Sequence, residues 1–264
     1  MDLQLSDKIA LISGSTAGIG LAIATILAQE GATVAINGRK PERVGRAMDK
    51  IRQIYPEAKL QGVTADLSTA VGAEMVFQQV PVVDILVNNL GFYQVKEFGE
   101  ISDVDWMEII ETNLMSGVRL SRHYLPLMLQ QNWGRIIFIS SESALNIPAE
   151  MIHYGVTKTA QLALARGMAE TTVGSNVTVN SILAGPTRSE GVETFVQDMA
   201  QSQGVDPSQV EKEFFENTRP SSLIQRFATP EEVAALVAFV ASPLASAING
   251  AALRVEGGVV RSIV

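Results

Sequence analysis

The chain contains no cysteine, which rules out structural disulfides, thiol catalysis and thiolate metal sites. Only two histidines occur in its 264 residues, His123 and His153. Neither stands with acidic residues at metal-ligand spacing, so no metal is expected. Positive charge is in deficit: the formal net charge of −8 argues against nucleic acid or an anionic membrane as the main partner. The apolar run VAALVAFVA, Val233 to Ala241, is far shorter than the roughly 20 residues a membrane helix needs. The start, MDLQLSDK, has neither the basic region nor the apolar core of a signal peptide. A soluble, cytoplasmic protein is expected.

What is present describes a globular chain with a sizeable core: 47% hydrophobic and 18% charged residues. Short β-rich runs alternate with longer helical patterns. Ile9–Ser13, Thr33–Asn37, Leu60–Thr64, Asp84–Asn89, Arg135–Ser140, Val177–Ile182 and Ala251–Val255 read as strands, several of them continuously apolar, as in parallel sheets covered on both faces. The expected fold is therefore α/β: a single-domain, Rossmann-like, doubly wound parallel sheet of about seven strands with helices on both faces. No linker or repeat divides residues 1–264. One long irregular stretch, about 185–229, has the character of a lid over a substrate, with short helices inside it.

SGSTAGIG places Gly14, Gly18 and Gly20 after the first strand and at the start of a helix. Glycine permits the tight turn and lets a pyrophosphate approach the backbone, where the helix N-terminus offers free N–H donors. No lysine follows, so a nucleoside-triphosphate loop is not indicated. Proteins that prefer NAD carry an acid about 20 residues later, on the ribose 2′-hydroxyl. Here the second strand ends AINGRK, with Asn37 at the expected acid and Arg39 and Lys40 following. A guanidinium can grip a 2′-phosphate, so NADP (NADPH) is favoured and NAD is the alternative.

Two tyrosines stand four residues ahead of a lysine: Tyr55/Lys59 and Tyr154/Lys158. Pro56 disfavours helix at Tyr55, whereas Tyr154 and Lys158 lie in a long helical pattern without proline and share one face. An ammonium beside a phenol favours phenolate, so Lys158 is expected to lower the pKa of Tyr154 and make it a usable acid and base. Ser141, at the end of RIIFISS, could hydrogen-bond a carbonyl oxygen or merely cap a turn.

With these motifs the chain resembles the short-chain dehydrogenase/reductase superfamily, in its common NAD(P)-dependent oxidoreductase branch, over nearly its whole length. GSTAGIG resembles the family's cofactor turn, and NNLG (residues 88–91) its N-N-A-G motif with Leu90 for alanine. TNLMSG carries Asn113 at the catalytic asparagine position, and Ser141, Tyr154 and Lys158 keep the catalytic spacing. The enoyl-reductase branch spaces tyrosine and lysine further apart, which disfavours that activity.

The resemblance implies hydride transfer between nicotinamide and a carbonyl or alcohol, with Tyr154 as acid/base and Ser141 polarising the oxygen. Lys158 would also bind the nicotinamide ribose, and Asn113 would position a relay water. The implied cofactor contacts are Gly14, Ser15, Thr16, Gly18, Ile19, Gly20, Arg39, Asp66, Leu67, Asn88, Gly91, Tyr154, Lys158, Gly185, Thr187 and Ser189. After the sixth strand AGPTRS departs from the family's P-G-x-x-x-T, with Ala184 for proline and Ser189 for threonine. Asp66 reads equally well as a helix cap.

The partner expected is a small carbonyl or alcohol substrate lined by Phe92, Tyr93 and the lid. The lid's four basic and seven acidic residues would not attract an acidic carrier protein, which weighs against a 3-oxoacyl thioester reductase. Arg188 reads better as a solvated arginine than as a substrate clamp, and His153 as structural or surface. TAQLALARGMA, apolar on several faces, fits a homo-oligomer, tetramer or dimer. The rivals are a non-catalytic NADP-binding sensor on this scaffold and a lyase or epimerase that uses the nucleotide internally.

Overall fold

Seven strands of apolar and β-branched residues lie side by side in the computed structural model, which describes residues 2–263. They are β1 (Ile9–Ile12), β2 (Thr33–Gly38), β3 (Leu60–Thr64), β4 (Ile85–Asn88), β5 (Gly134–Ser141), β6 (Val177–Ala184) and β7 (Ala252–Val255). All pairings are parallel and the order is β3-β2-β1-β4-β5-β6-β7. The helices between them are α1 (Gly18–Gln29), α2 (Pro41–Ile54), α3 (Ala70–Gln79), α4 (Asp103–Ile110), α5 (Ser116–Gln130), α6 (Ile152–Glu170), α7 (Glu190–Gln203), α8 (Pro207–Glu213) and α9 (Pro230–Ala241).

Side chains alternate across a strand, so one sheet feeds two cores. Ile12, Ile36, Val87 and Ile139 pack on one face with Ile23 and Leu27 of α1 and Val233 and Val237 of α9. Leu11, Ala35, Leu86 and Phe138 pack on the other with Val76 of α3, Leu120 and Tyr124 of α5 and Ala165 of α6. This is the doubly wound sheet expected. The chain leaves β1 in one direction to build β2 and β3, then returns to its other side for β4. The crevice at the carboxyl ends of β1 and β4 is thus a topological switch point, where ligands bind in such sheets.

Residues 185–229 are more ordered than their sequence suggests. α7 runs for four turns from its Ser189 cap to Gly204, which stops it at φ +67°. α7 and α8 enclose a small core of Val196, Ala200, Val210, Phe215 and Phe227. Among the described residues no helix is long and apolar enough to cross a membrane.

Candidate active site

The glycine turn, NNLG, Ser141 and AGPTRS follow or close β1, β4, β5 and β6 at the carboxyl edge of the sheet. After β1 the chain turns at Gly14 (φ +63°) and Gly18 (φ +54°), conformations that disfavour any residue with a side chain. At Gly20 a Cβ would stand 2.5 Å from Asn89 Nδ2 and from the carbonyl oxygen of Gly14, so glycine is required for close approach. The N-cap of α1 is Ala17, with no side-chain cap and no acid in the first turn. The N–H donors of the first turn are left for an anion, an arrangement that fits a pyrophosphate. Ser15 is buried: its hydroxyl donates to the carbonyl of Ile12 and accepts from the N–H of Asn37. Thr16 and Ile19 are half-buried beside the turn.

Asn37 requires a correction. Its side chain is buried, accepting from the Gly14 N–H at 3.1 Å and donating to the carbonyls of Val63 and Ala65, each at 3.2 Å. It staples the glycine turn to the end of β3 and has nothing to offer a ribose. The tip of β2 is Gly38, where a Cβ would meet Thr16 Cγ2 at 2.5 Å, so a side chain there would have to displace the Thr16 methyl. Arg39 and Lys40 follow, both exposed. The cation-rich, acid-free edge fits a 2′-phosphate.

The tyrosine–lysine pairs separate as the proline argument requires. α2 stops at Ile54, leaving Tyr55 outside it, while Lys59 faces Asp7 at 3.6 Å. Tyr154 and Lys158 share α6, with Lys158 Nζ 5.6 Å from the centre of the Tyr154 ring. Ser141 closes β5, and its Oγ accepts from the Ser143 N–H at 3.1 Å, so it caps a turn as well as reaching the tyrosine.

Asn113 lies in a π-helical segment, Glu111–Met115, joining α4 to α5; such bulges recur at functional sites because they re-aim a side chain. Its amide is fully engaged, accepting from the N–H of Phe92 and donating to the carbonyl of Phe92 and to Thr157 Oγ1. Gly91 brings the groups together: a Cβ there would stand 3.3 Å from Asn113 Oδ1 and 3.4 Å from Lys158 Nζ.

The electrostatics depart from expectation. Burial pushes Tyr154 up to about 12, against a smaller lowering by the Ser141 hydroxyl hydrogen-bonded to it; Glu142 and Tyr93 raise it further, and Arg219 lowers it. The net shift is upward despite the neighbouring Lys158. The Lys158 ammonium donates to the carbonyl of Ile139 at 2.8 Å, and burial pushes it down to about 8. Desolvation outweighs the attraction between the two groups. The phenol is therefore held protonated at neutral pH, the state a proton donor requires.

The remaining positions divide by what their atoms already do. Asn88 Nδ2 donates to Ser121 Oγ, tying β4 to α5, while its buried Oδ1 has no partner. Asp66 Oδ1 accepts from the N–H and hydroxyl of Ser68, and Thr69 rather than Asp66 caps α3. Leu67 is a core side chain that can offer a ligand only its backbone. Gly185 is needed for packing, since a Cβ would stand 2.6 Å from the Glu256 carbonyl oxygen. Thr187 Oγ1 donates to the Gly185 carbonyl. Ser189 caps α7 over Gly18, whose added Cβ would touch it at 3.4 Å.

Tyr93 stands edge-on to Tyr154 with centroids 6.2 Å apart. Arg188 is partly exposed but not free: it pairs with Glu193 at 2.9 Å and with Glu211, tying α7 to α8. His153 is wholly buried against Trp106, not on the surface. Among the described residues no cluster of three or more His, Asp or Glu could hold a metal.

Three groups went unrecognised in the sequence. Asn89 and Ser13 bolt β4 to the glycine turn: Asn89 Nδ2 donates to the Ser13 and Gly14 carbonyls, and Ser13 Oγ accepts from the N–H groups of Asn89 and Leu90. The doubled asparagine of NNLG was the available signal. The third group is a buried ion pair, Glu142 with Arg219, 2.9 Å apart at the edge of the cleft. Nothing in a linear sequence pairs residues 77 apart.

Comparison with known proteins agrees with this geometry. The profile of a family described as enoyl-(acyl carrier protein) reductase matches residues 14–260. Two uncharacterized oxidoreductases of Bacillus subtilis (strain 168) are similar over 100% of both chains: YvaG at 48% identity and YvrD at 50%. Among solved structures, L-sorbose reductase from Gluconobacter frateurii, complexed with NADPH and L-sorbose, superposes with a TM-score of 0.93 at 30% identity, covering 100% of both chains. The chain thus belongs to the family so described and, with it, to the short-chain dehydrogenase/reductase superfamily, as an NAD(P)-dependent oxidoreductase acting on carbonyl or hydroxyl groups.

Proposed function

We propose that this enzyme interconverts a small carbonyl compound and its alcohol with NADP(H) as the preferred cofactor, using Tyr154 as proton donor and acceptor. The observation that carries the reading is the convergence of Ser141, Tyr154, Lys158 and Asn113 beside an uncapped glycine turn at the switch point. When bound, the reduced nicotinamide supplies the hydride.

The chain's own residues do the rest. First-turn N–H groups of α1 take the pyrophosphate, Arg39 and Lys40 take the 2′-phosphate, and Asp66, Leu67 and Asn88 border the adenine half. Gly91 leaves room for the ribose at Lys158, while Gly185, Thr187 and Ser189 flank the carboxamide. Ser141, whose oxygen already accepts from Ser143, turns its proton to the substrate oxygen. Tyr154 then protonates the alkoxide, so that one hydride and one proton convert C=O into CH–OH.

The neighbour crystallised with NADPH and the acid-free end of β2 both support NADP over NAD. The segment 185–229 acts as the lid; its excess of acids disfavours an acyl-carrier substrate. We infer a cytoplasmic location and a homo-oligomer, tetramer or dimer; the oligomer is supported by Val156 exposed and Leu162 half-buried on α6.

Fluorescence titration with NADPH and NADH tests the cofactor reading. Tighter NADPH binding, weakened roughly ten- to a hundred-fold by Arg39→Ala through loss of a charge-assisted bond, is expected. Tighter NADH binding, or an Arg39→Ala variant with unchanged NADPH affinity, contradicts it.

A further inference from the structure

Glu142 follows the cleft serine Ser141 in sequence and is 3% exposed. Both of its polar contacts fall on one oxygen. Oε1 accepts from Arg219 Nε at 2.9 Å and from Ser143 Oγ at 3.2 Å. Oε2 is buried and has no partner. Arg219 uses Nε for the carboxylate and Nη1 for the carbonyl of Thr218, so it does not form the two-pronged pair that would occupy both carboxylate oxygens. A buried carboxylate oxygen without a donor is costly and calls for one from outside the chain, a water or a ligand.

The group borders the cleft. Glu142 directly follows Ser141 at the end of β5, Ser141 hydrogen-bonds Tyr154, and the carboxylate raises the Tyr154 pKa while its partner Arg219 lowers it. Arg219 comes from the end of the lid segment, directly after the π turn Phe214–Thr218, so the pair joins the lid to the strand that carries Ser141.

Resting on the reading of this cleft given above, we propose that Glu142 is a specificity-determining residue whose Oε2 accepts a hydrogen bond from a hydroxyl of the substrate, and that the substrates are hydroxylated carbonyl compounds and their polyols. Three points select a neutral hydroxyl. The negative charge of Glu142 is already balanced by Arg219, so a cationic substrate finds no net charge to pair with. A substrate carboxylate would face the carboxylate oxygen directly. An unsubstituted ketone would leave Oε2 buried and unpaired, and sites built around a substrate hydroxyl discriminate strongly against analogues that lack it.

The test compares kcat/KM for NADPH-dependent reduction of 3-hydroxy-2-butanone and 2-butanone by wild-type enzyme and by Glu142→Gln. Because that variant strands Arg219, a Glu142→Leu/Arg219→Met variant, which removes both charges, is measured beside it. Wild-type enzyme should favour the hydroxyketone by roughly tenfold or more, the worth of one charge-assisted hydrogen bond, with the advantage in KM. The ratio should collapse at least fivefold in the variants. Any intrinsic difference in electrophilicity between the two ketones is common to all the enzymes and cancels. A ratio unchanged in a folded variant overturns the inference while leaving the oxidoreductase reading intact. If neither ketone, nor the matching alcohols with NADP, is turned over although the cofactor binds, the carbonyl reading of the cleft falls, and this inference with it.

Discussion

Replacing Asn37 by aspartate is the substitution a cofactor-swapping strategy would try first, because acids at the end of the second strand favour NAD. The structure predicts that it damages the fold instead. Asn37 is 2% exposed and its Nδ2 donates to two carbonyl oxygens, those of Val63 and Ala65. Aspartate keeps the acceptor for the Gly14 N–H but loses both donors. Two lost buried hydrogen bonds cost about 1 kcal/mol each, and two carbonyl oxygens left unsatisfied against a carboxylate add roughly 1–3 kcal/mol. A loss of about 3–5 kcal/mol should lower the melting temperature by roughly 6–20 °C for a domain of this size. Calorimetry with and without NADH reads both effects. An Asn37→Asp enzyme that melts within about 2 °C of wild type and binds NADH more tightly would show that this side chain faces the ribose, and would refute the assignment.

Gly20→Ala should weaken NADPH binding at least tenfold and cost about 1–3 kcal/mol, because the new methyl would meet Asn89 and the Gly14 carbonyl at 2.5 Å; titration and thermal unfolding check it, and no change in either contradicts it. Lys158, pushed down to about 8 by burial, loses its proton as pH rises through that value, so the NADPH-dependent reduction rate should fall above about pH 8. Tyr154, pushed up to about 12, stays protonated over that range and does not shape the profile. Lys158→Arg keeps its charge and should flatten the alkaline limb; an identical limb in that variant would assign it to another group.

The sheet was legible because apolar strands separated by glycine stops declare themselves locally: all seven strands form within two residues of their sequence bounds at either end. The motif residues were legible for the same reason, since a turn, a helix spacing and a strand end are local. What failed was whatever depends on direction or on burial. Asn37 and Gly38 are adjacent, yet the strand's alternation sends the first into the protein, and only the three-dimensional packing shows it. Proximity of Lys158 to Tyr154 suggested a depressed phenol pKa; the competing cost of desolvating both is a property of the packed cleft. The π segment that carries Asn113 and the tie between Glu142 and Arg219 have no sequence signature at all.

The central claim is that the Tyr154 phenol is the proton donor for reduction at a site that otherwise binds cofactor without it. Tyr154→Phe removes one oxygen from a half-buried ring and leaves the glycine turn, Arg39 and Lys158 untouched. The measurement is paired: NADPH affinity by titration and turnover of a reducible carbonyl by the same preparation. The account predicts affinity within about threefold of wild type and turnover lower by roughly 10²–10⁴, the worth of a positioned general acid. Turnover retained within tenfold at normal affinity would contradict it.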